Sequence, residues 1–97
     1  MKKIMSVSVY GEPGNNATVH FHGRRNPAVA MQSDTLQILL ADLTRARQSL
    51  ASGDAAEAMD ELDGVLERLS AIYTGMINDV RGEGDSDGTD WPGANRP

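Results

Sequence analysis

Apolar residues recur at alternating spacings of three and four in the second half of the chain, which is the period of one helix face. This stripe consists of Met59, Leu62, Leu66, Leu69, Tyr73, Met76 and Val80. Ala58, Val65 and Ile72 widen it to about three positions in seven, as in helices that face a core or a partner. The pattern predicts a long amphipathic helix over residues 54–81, with one face that another element must cover.

A shorter stripe with the same period precedes it and predicts a helix over residues 34–52. Its members are Leu36, Leu39, Leu40, Leu43, Ala46 and Leu50. Ser33 or Asp34 is expected to cap the free amides at its start, because short polar side chains accept hydrogen bonds there.

The segment between the two helices is very short. Gly53 can adopt the left-handed conformation that ends a helix, and Asp54 with Glu57 three positions later fits a capping box. So short a connection forces antiparallel neighbours. We therefore predict a helical hairpin in which the two apolar stripes cover each other.

The second helix is predicted to be the longer one, so the first cannot cover all of it. The uncovered end carries Ile72, Tyr73, Met76, Ile77 and Val80. An exposed patch of this size is unusual for a monomer. We expect these residues to form an oligomer interface, where the N-terminal strands and a second protomer of a homodimer meet.

The N-terminal region alternates between apolar and polar residues with period two, which is typical of half-buried strands. Residues 3–10 and 17–22 flank a Pro-Gly-Asn-Asn turn, and together they predict a β-hairpin over residues 3–22. Residues 28–31 are compatible with a turn or a strand. The predicted fold class is α+β, with a β-hairpin packed on the two-helix hairpin.

Length and composition bound the architecture further. The 97 residues, 39% hydrophobic and 4% aromatic, allow one domain, predicted over residues 1–82. The acidic, glycine-rich stretch 83–97 predicts a disordered tail. The chain has no cysteine and no stretch long enough to span a membrane, so we expect a cytoplasmic protein.

Charge is distributed unevenly along the chain, whose net charge is −5. Residues 1–50 carry six basic and three acidic residues, net +3, and residues 51–97 carry three basic and eleven acidic residues, net −8. An acidic chain repels a phosphate backbone, which disfavours direct binding to nucleic acid. The acidic half suits a protein partner with a basic surface. The predicted partner-binding residues are Asp60, Glu61, Asp63, Glu67 and Trp91.

Candidate chemistry is sparse, because the sequence carries no catalytic motif, no cofactor fingerprint and no set of metal ligands. His20 and His22 share one face of a predicted strand, and Arg24 and Arg25 follow them closely. Arginine forks match phosphate and carboxylate groups, so these four residues are candidate ligands for an anionic small molecule such as a nucleotide.

We therefore hypothesise a small non-enzymatic interaction protein that regulates or inhibits another macromolecule without a cofactor. Small, cysteine-free, acidic proteins of this kind look like inhibitors of host machinery from phages or mobile elements. The alternative hypothesis is a module that sequesters an anionic small ligand through the histidines and arginines.

Overall fold

The computed structural model describes residues 2–12 and 14–83 and has the predicted α+β composition. Strands β1 (Ser8–Tyr10), β2 (Asn16–His20) and β3 (Ala28–Met31) form a three-stranded antiparallel sheet in the order β1-β2-β3. Helices α1 (Ser33–Ala51) and α2 (Ala55–Glu83) follow, and α2 is the longer, as predicted.

The chain divides into two compact units. The sheet unit comprises the described residues up to Ala30 and those from Thr74 onward, and the hairpin unit comprises Met31–Tyr73. Helix α2 contributes residues to both units. The predicted single domain over residues 1–82 stays a prediction, and residues 84–97 of the predicted tail lie outside the described residues.

The sheet has one strand more than the predicted hairpin, and its buried face differs from the expected one. In the β1–β2 register Val9 pairs with Val19 and Tyr10 pairs with Thr18. The period-two alternation predicts that Val9 and Val19 share the inward face, but Tyr10 and Thr18 are buried together with Val19, while Val9 is half exposed. The aromatic ring of Tyr10 buries more apolar surface than a valine does, which favours this arrangement.

The core of the sheet unit forms where the strands pack on the C-terminal part of α2. Met76 and Ile77 are buried with Val29 of β3 packed against them, and Val80 is 1% exposed. Thr18 Oγ1 donates a hydrogen bond of 2.7 Å to Asp79 Oδ2. The strands therefore supply the cover that the end of α2 requires.

The turn of the hairpin unit follows the predicted chemistry closely. Gly53 has a φ of 86°, and its amide donates to the carbonyl of Leu50 at 3.1 Å. Asp54 Oδ1 accepts a hydrogen bond from the amide of Glu57 at 3.0 Å, which is the N-cap contact. In a full capping box the Glu57 side chain would accept from the amide of Asp54. Here that amide donates to the Ser49 carbonyl within the turn.

The start of α1 differs from the prediction. Gln32 is the N-cap residue, and its side chain makes no capping hydrogen bond. Asp34 Oδ1 accepts only from the neighbouring amide of Thr35, so Asp34 belongs to the first turn of the helix. Its carboxylate still lies where the helix dipole favours a negative charge.

The buried positions of the hairpin unit are mostly small side chains. Leu39 and Ala46 of α1 are buried, as are Ala58 and Val65 of α2, and each pair is separated by seven positions. This corrects the expectation that the two large apolar stripes cover each other. Small side chains permit a close approach of the helices, and the leucines other than Leu39 keep a large exposed fraction.

Candidate functional site

The hairpin unit presents an extended apolar surface, which we call the apolar face. It consists of eight side chains on the two stripes, Leu36, Leu40, Leu43, Leu50, Met59, Leu62, Leu66 and Leu69. Their exposed fractions range from 38% to 64%. The α2 members keep the alternating spacing of a coiled-coil seam, whereas in α1 Arg47 stands at the seam position between Leu43 and Leu50.

Near the turn the two stripes meet in a groove of about 350 Å³. Leu43 and Leu50 line it from α1, and Met59 and Leu62 line it from α2. Arg47 is the one charged residue among the described residues that line it. The groove shows that both stripes lie on the same side of the hairpin.

The predicted acidic partner-binding residues lie outside the apolar face. Asp60, Asp63 and Glu67 are exposed on α2, and none of them lines the apolar groove. Glu61 is half-buried, and its Oε2 lies 3.6 Å from Nε of Arg45 on α1. Glu61 therefore helps to hold the helices together, and the other three carboxylates remain the better candidates for a partner.

Carboxylates crowd the first turns of α2, where the charge density is locally high. The Glu61 carboxylate is the largest cause that raises the pKa of Glu57, and burial and the carboxylates of Asp54 and Asp60 act in the same direction. The negative charges that raise the pKa of Glu57 are relieved by a basic partner.

Most of the residues predicted to form the oligomer interface are buried within the chain. Met76, Ile77 and Val80 are buried within the chain itself, Ile72 is half-buried and Tyr73 is 45% exposed. Three of these five side chains therefore have little surface to offer a second protomer. The surface available for assembly lies instead on the apolar face.

The sheet unit carries a second concave surface, which we call the basic groove. It encloses about 700 Å³, and it is lined by Met5, Phe21, His22, Arg24, Arg25, Asn26 and Ala28. A smaller groove of about 280 Å³ shares Phe21, His22 and Arg24 with it and also reaches His20. Among the described residues, no Asp or Glu lines either groove. The structure thus brings all four predicted anion-binding residues into one region.

His20 has a different position in this region from the other three. Its Nε2 lies 2.6 Å from the backbone carbonyl of Arg24, which can only accept a hydrogen bond, so Nε2 carries the proton. Its Nδ1 then accepts from the hydroxyl of the buried Tyr10 at 3.4 Å. Both ring nitrogens are engaged, which assigns His20 a positioning role.

Sequence reasoning missed the apolar side of the basic groove. The period-two alternation of residues 17–22 predicts that Phe21 faces the core with Val19, but Phe21 is 41% exposed and lines both grooves. Met5 and Ala28 complete the apolar lining. Strand β2 ends at His20, so period two no longer determines where Phe21 points.

Residues 2–12 and 14–83 contain neither a cluster of metal ligands nor a membrane-spanning helix. No group of three or more His, Asp or Glu side chains there is arranged to hold a metal ion. No helix within these ranges combines the length and the apolar character needed to cross a bilayer. Trp91, the remaining predicted partner-binding residue, lies outside the described residues.

Neither the curated proteins nor the solved structures contain a significant match to this chain. A family model described as a family of unknown function, DUF6959, matches residues 1–80. The match includes every described residue of both grooves and of the apolar face. Because it extends over more than half of the sequence, the chain belongs to the family DUF6959.

Proposed function

We propose that this protein is a non-enzymatic interaction protein that works as a homodimer and regulates or inhibits a protein partner with a basic surface. The observation that carries the proposal is the apolar face, eight large side chains left exposed by a hairpin whose buried positions are mostly small. We propose a cytoplasmic location for it, which suits a chain without cysteine.

The size of the apolar face favours a specific interface. Eight large apolar side chains, each about half exposed, supply several hundred Å² of accessible surface. This is a large part of the about 800 Å² that each partner buries in a standard interface. Single exposed leucines are ordinary, but eight large apolar side chains on one hairpin, four of which line a common groove, indicate a contact surface.

A second copy of the chain is the occupant that fits this face best. Two helical hairpins that pack through seams of coiled-coil spacing form a four-helix bundle. A two-fold interface brings the same surface of both copies together, so the charges on that surface in one copy approach charges of the same sign in the other. Arg47 is the one charged residue in the apolar groove, and Asp60, Asp63 and Glu67 lie outside it, so self-association brings few like charges together.

Dimerisation through this face leaves the acidic residues of α2 accessible. Asp60, Asp63 and Glu67 are exposed in each protomer, and the dimer doubles their number. A partner with a basic surface gains from this charge through faster encounter and through selectivity.

Light scattering after size-exclusion chromatography tests the dimer. The wild-type chain should elute with twice its mass of 10.4 kDa at micromolar concentration. Leu40→Glu places a charge in the seam and should give a monomer. Ile38→Glu is the matched control, because Ile38 is 47% exposed but stands off both stripes, and it should remain dimeric. A wild-type monomer, or equal behaviour of the two variants, contradicts the dimer.

The contact with the partner is tested separately by charge reversal. A variant with Asp60, Asp63 and Glu67 all changed to Lys should lose a partner that the wild type captures from its native host, and this loss should not depend on the oligomeric state. The control reverses Glu12 and Asp34, two exposed carboxylates that belong to other elements of the chain than α2. Retention of the partner by the triple variant, with the helical content unchanged, contradicts the role of the acidic residues.

A further inference from the structure

We propose that the basic groove of the sheet unit binds a nucleotide, with Arg24 and Arg25 on its phosphates and Phe21 against its base. This site is separate from the surfaces assigned to the dimer and to the protein partner, and its occupation does not depend on either of them.

Among residues 2–12 and 14–83, the charges of the basic groove have no counter-ion. His22, Arg24 and Arg25 all line it, and no described carboxylate forms an ion pair with either arginine. The chain as a whole is acidic, so this local concentration of positive charge is unlike the rest of the molecule. Two adjacent guanidinium forks provide paired donors whose geometry suits phosphate oxygens.

The loop that carries Arg24 is held in place by backbone geometry. The amide of Arg24 donates to the carbonyl of Phe21 at 3.2 Å, which closes a tight turn, and Gly23 within it has a φ of 81°. Glycine adopts this conformation without steric cost. The turn sets Phe21 and Arg24 at its two ends, so an aromatic ring and a guanidinium flank one short segment.

A second set of contacts ties the same turn to the sheet. His20 holds the carbonyl of Arg24 at 2.6 Å, and the buried Tyr10 holds His20, with ring centroids 6.4 Å apart. The backbone of Arg24 is therefore positioned before a ligand arrives, which lowers the entropy that binding must overcome.

The size and lining of the groove indicate a small molecule with an apolar part. Its volume of about 700 Å³ lies within the usual range of about 300–1,000 Å³ for small-molecule sites. Met5, Phe21 and Ala28 give it an apolar side as well. A bare anion would leave that side unused, whereas a nucleotide has a phosphate for the arginines and a base that can stack on Phe21.

Single-stranded nucleic acid shares this chemistry, but the overall charge favours the small ligand. A bound strand extends beyond one groove and meets the acidic field of a chain with net charge −5. A mononucleotide needs only the local positive charge.

Calorimetric titration of the full chain with magnesium-free ADP tests the proposal, with inorganic pyrophosphate and a ten-nucleotide poly(U) strand as comparison probes. ADP should bind with one site per chain and more tightly than pyrophosphate. Arg24→Ala and Arg25→Ala should each weaken ADP binding by roughly 10- to 100-fold, because each removes charge-assisted hydrogen bonds. Phe21→Ala should weaken ADP binding by at least roughly fivefold and leave pyrophosphate binding unchanged.

Arg47→Ala is the matched control, because it removes the same charge from the hairpin unit and should leave ADP affinity unchanged. Amide chemical-shift changes on addition of ADP should concentrate in residues 21–28, and the monomeric Leu40→Glu variant should bind ADP as the wild type does. The proposal is overturned if folded protein shows no binding at millimolar ADP, or if Arg47→Ala weakens binding as much as Arg24→Ala does. Equal affinity for pyrophosphate and ADP, or poly(U) binding at least tenfold tighter than ADP binding, also overturns it.

Discussion

The hydrogen bond between Thr18 and Asp79 should contribute strongly to the stability of the sheet unit. Thr18 is 3% exposed, and its hydroxyl donates at 2.7 Å to a carboxylate on α2. Thr18→Val keeps the shape of the side chain but removes the donor. Hydrogen bonds to charged groups contribute about 1.5–3 kcal/mol, and the half-buried Asp79 can turn partly to water, so we expect a loss of about 2 kcal/mol.

Thermal and urea unfolding, followed by circular dichroism, measure this loss. For a domain of this size each kcal/mol lowers Tm by about 4–8 °C, so Thr18→Val should melt about 8–16 °C below the wild type. Thr44→Val is the matched control, because the Thr44 hydroxyl donates to the carbonyl of Leu40 within an exposed helix turn. The control should lie within about 0.5 kcal/mol of the wild type.

A double-mutant cycle with Gly11→Ala tests the same contact independently. A Cβ atom on Gly11 would lie 2.7 Å from Asp79 Oδ1, so the carboxylate that accepts from Thr18 would have to shift. Once Gly11→Ala has displaced that carboxylate, Thr18→Val should cost less, with a coupling of at least about 0.5 kcal/mol. Strict additivity, or a Thr18→Val variant as stable as the wild type, refutes this reasoning.

Two further predictions concern the hairpin unit. Glu57→Gln should be more stable than the wild type at pH 7, because neighbouring carboxylates raise the pKa of Glu57 in the folded protein and so disfavour its charged form. The stability that Glu57 contributes is present below the pKa of the unfolded state and is lost as pH rises through the pKa of the folded state. In urea unfolding this advantage should disappear near pH 4, and an equal advantage at both pH values contradicts it. Gly53→Ala should lose about 1 kcal/mol through its φ of 86° alone, because no atom lies within 4 Å of the added Cβ. Gly64→Ala, in the helix interior with equally open space, should instead gain about 1 kcal/mol, and thermal melts that move in the same direction for both glycines contradict the assignment.

The elements of this fold could be predicted from local chemistry, whereas their facing surfaces could not. Gly53 and Asp54 end one helix and begin the next through contacts within a few residues, so the sequence alone indicates them. The choice between Leu43 and Ala46 as the buried residue of α1 depends on how closely α2 approaches, and periodicity does not report that distance.

The residues of the candidate sites also divide into those that are close in sequence, which could be predicted, and those that are distant in sequence, which could not. His22, Arg24 and Arg25 are neighbours in sequence, so their association in the basic groove could be predicted. Met5 reaches the same groove from a segment before β1, and the burial of Thr18 depends on a contact with Asp79, 61 positions away. Such long-range contacts leave no periodic signal in one sequence.

The tight turn between the helices also sets their rotational phase. The amides of residues 52–54 donate hydrogen bonds to the carbonyls of Gln48, Leu50 and Ser49, respectively. These bonds fix the conformation of the connection. One inserted residue would rotate α2 by about 100° about its axis. Met59 would then leave the groove that it shares with Leu43, although both helices would remain intact. The length of this turn, more than the composition of either helix, thus decides whether two separate apolar stripes act as one surface.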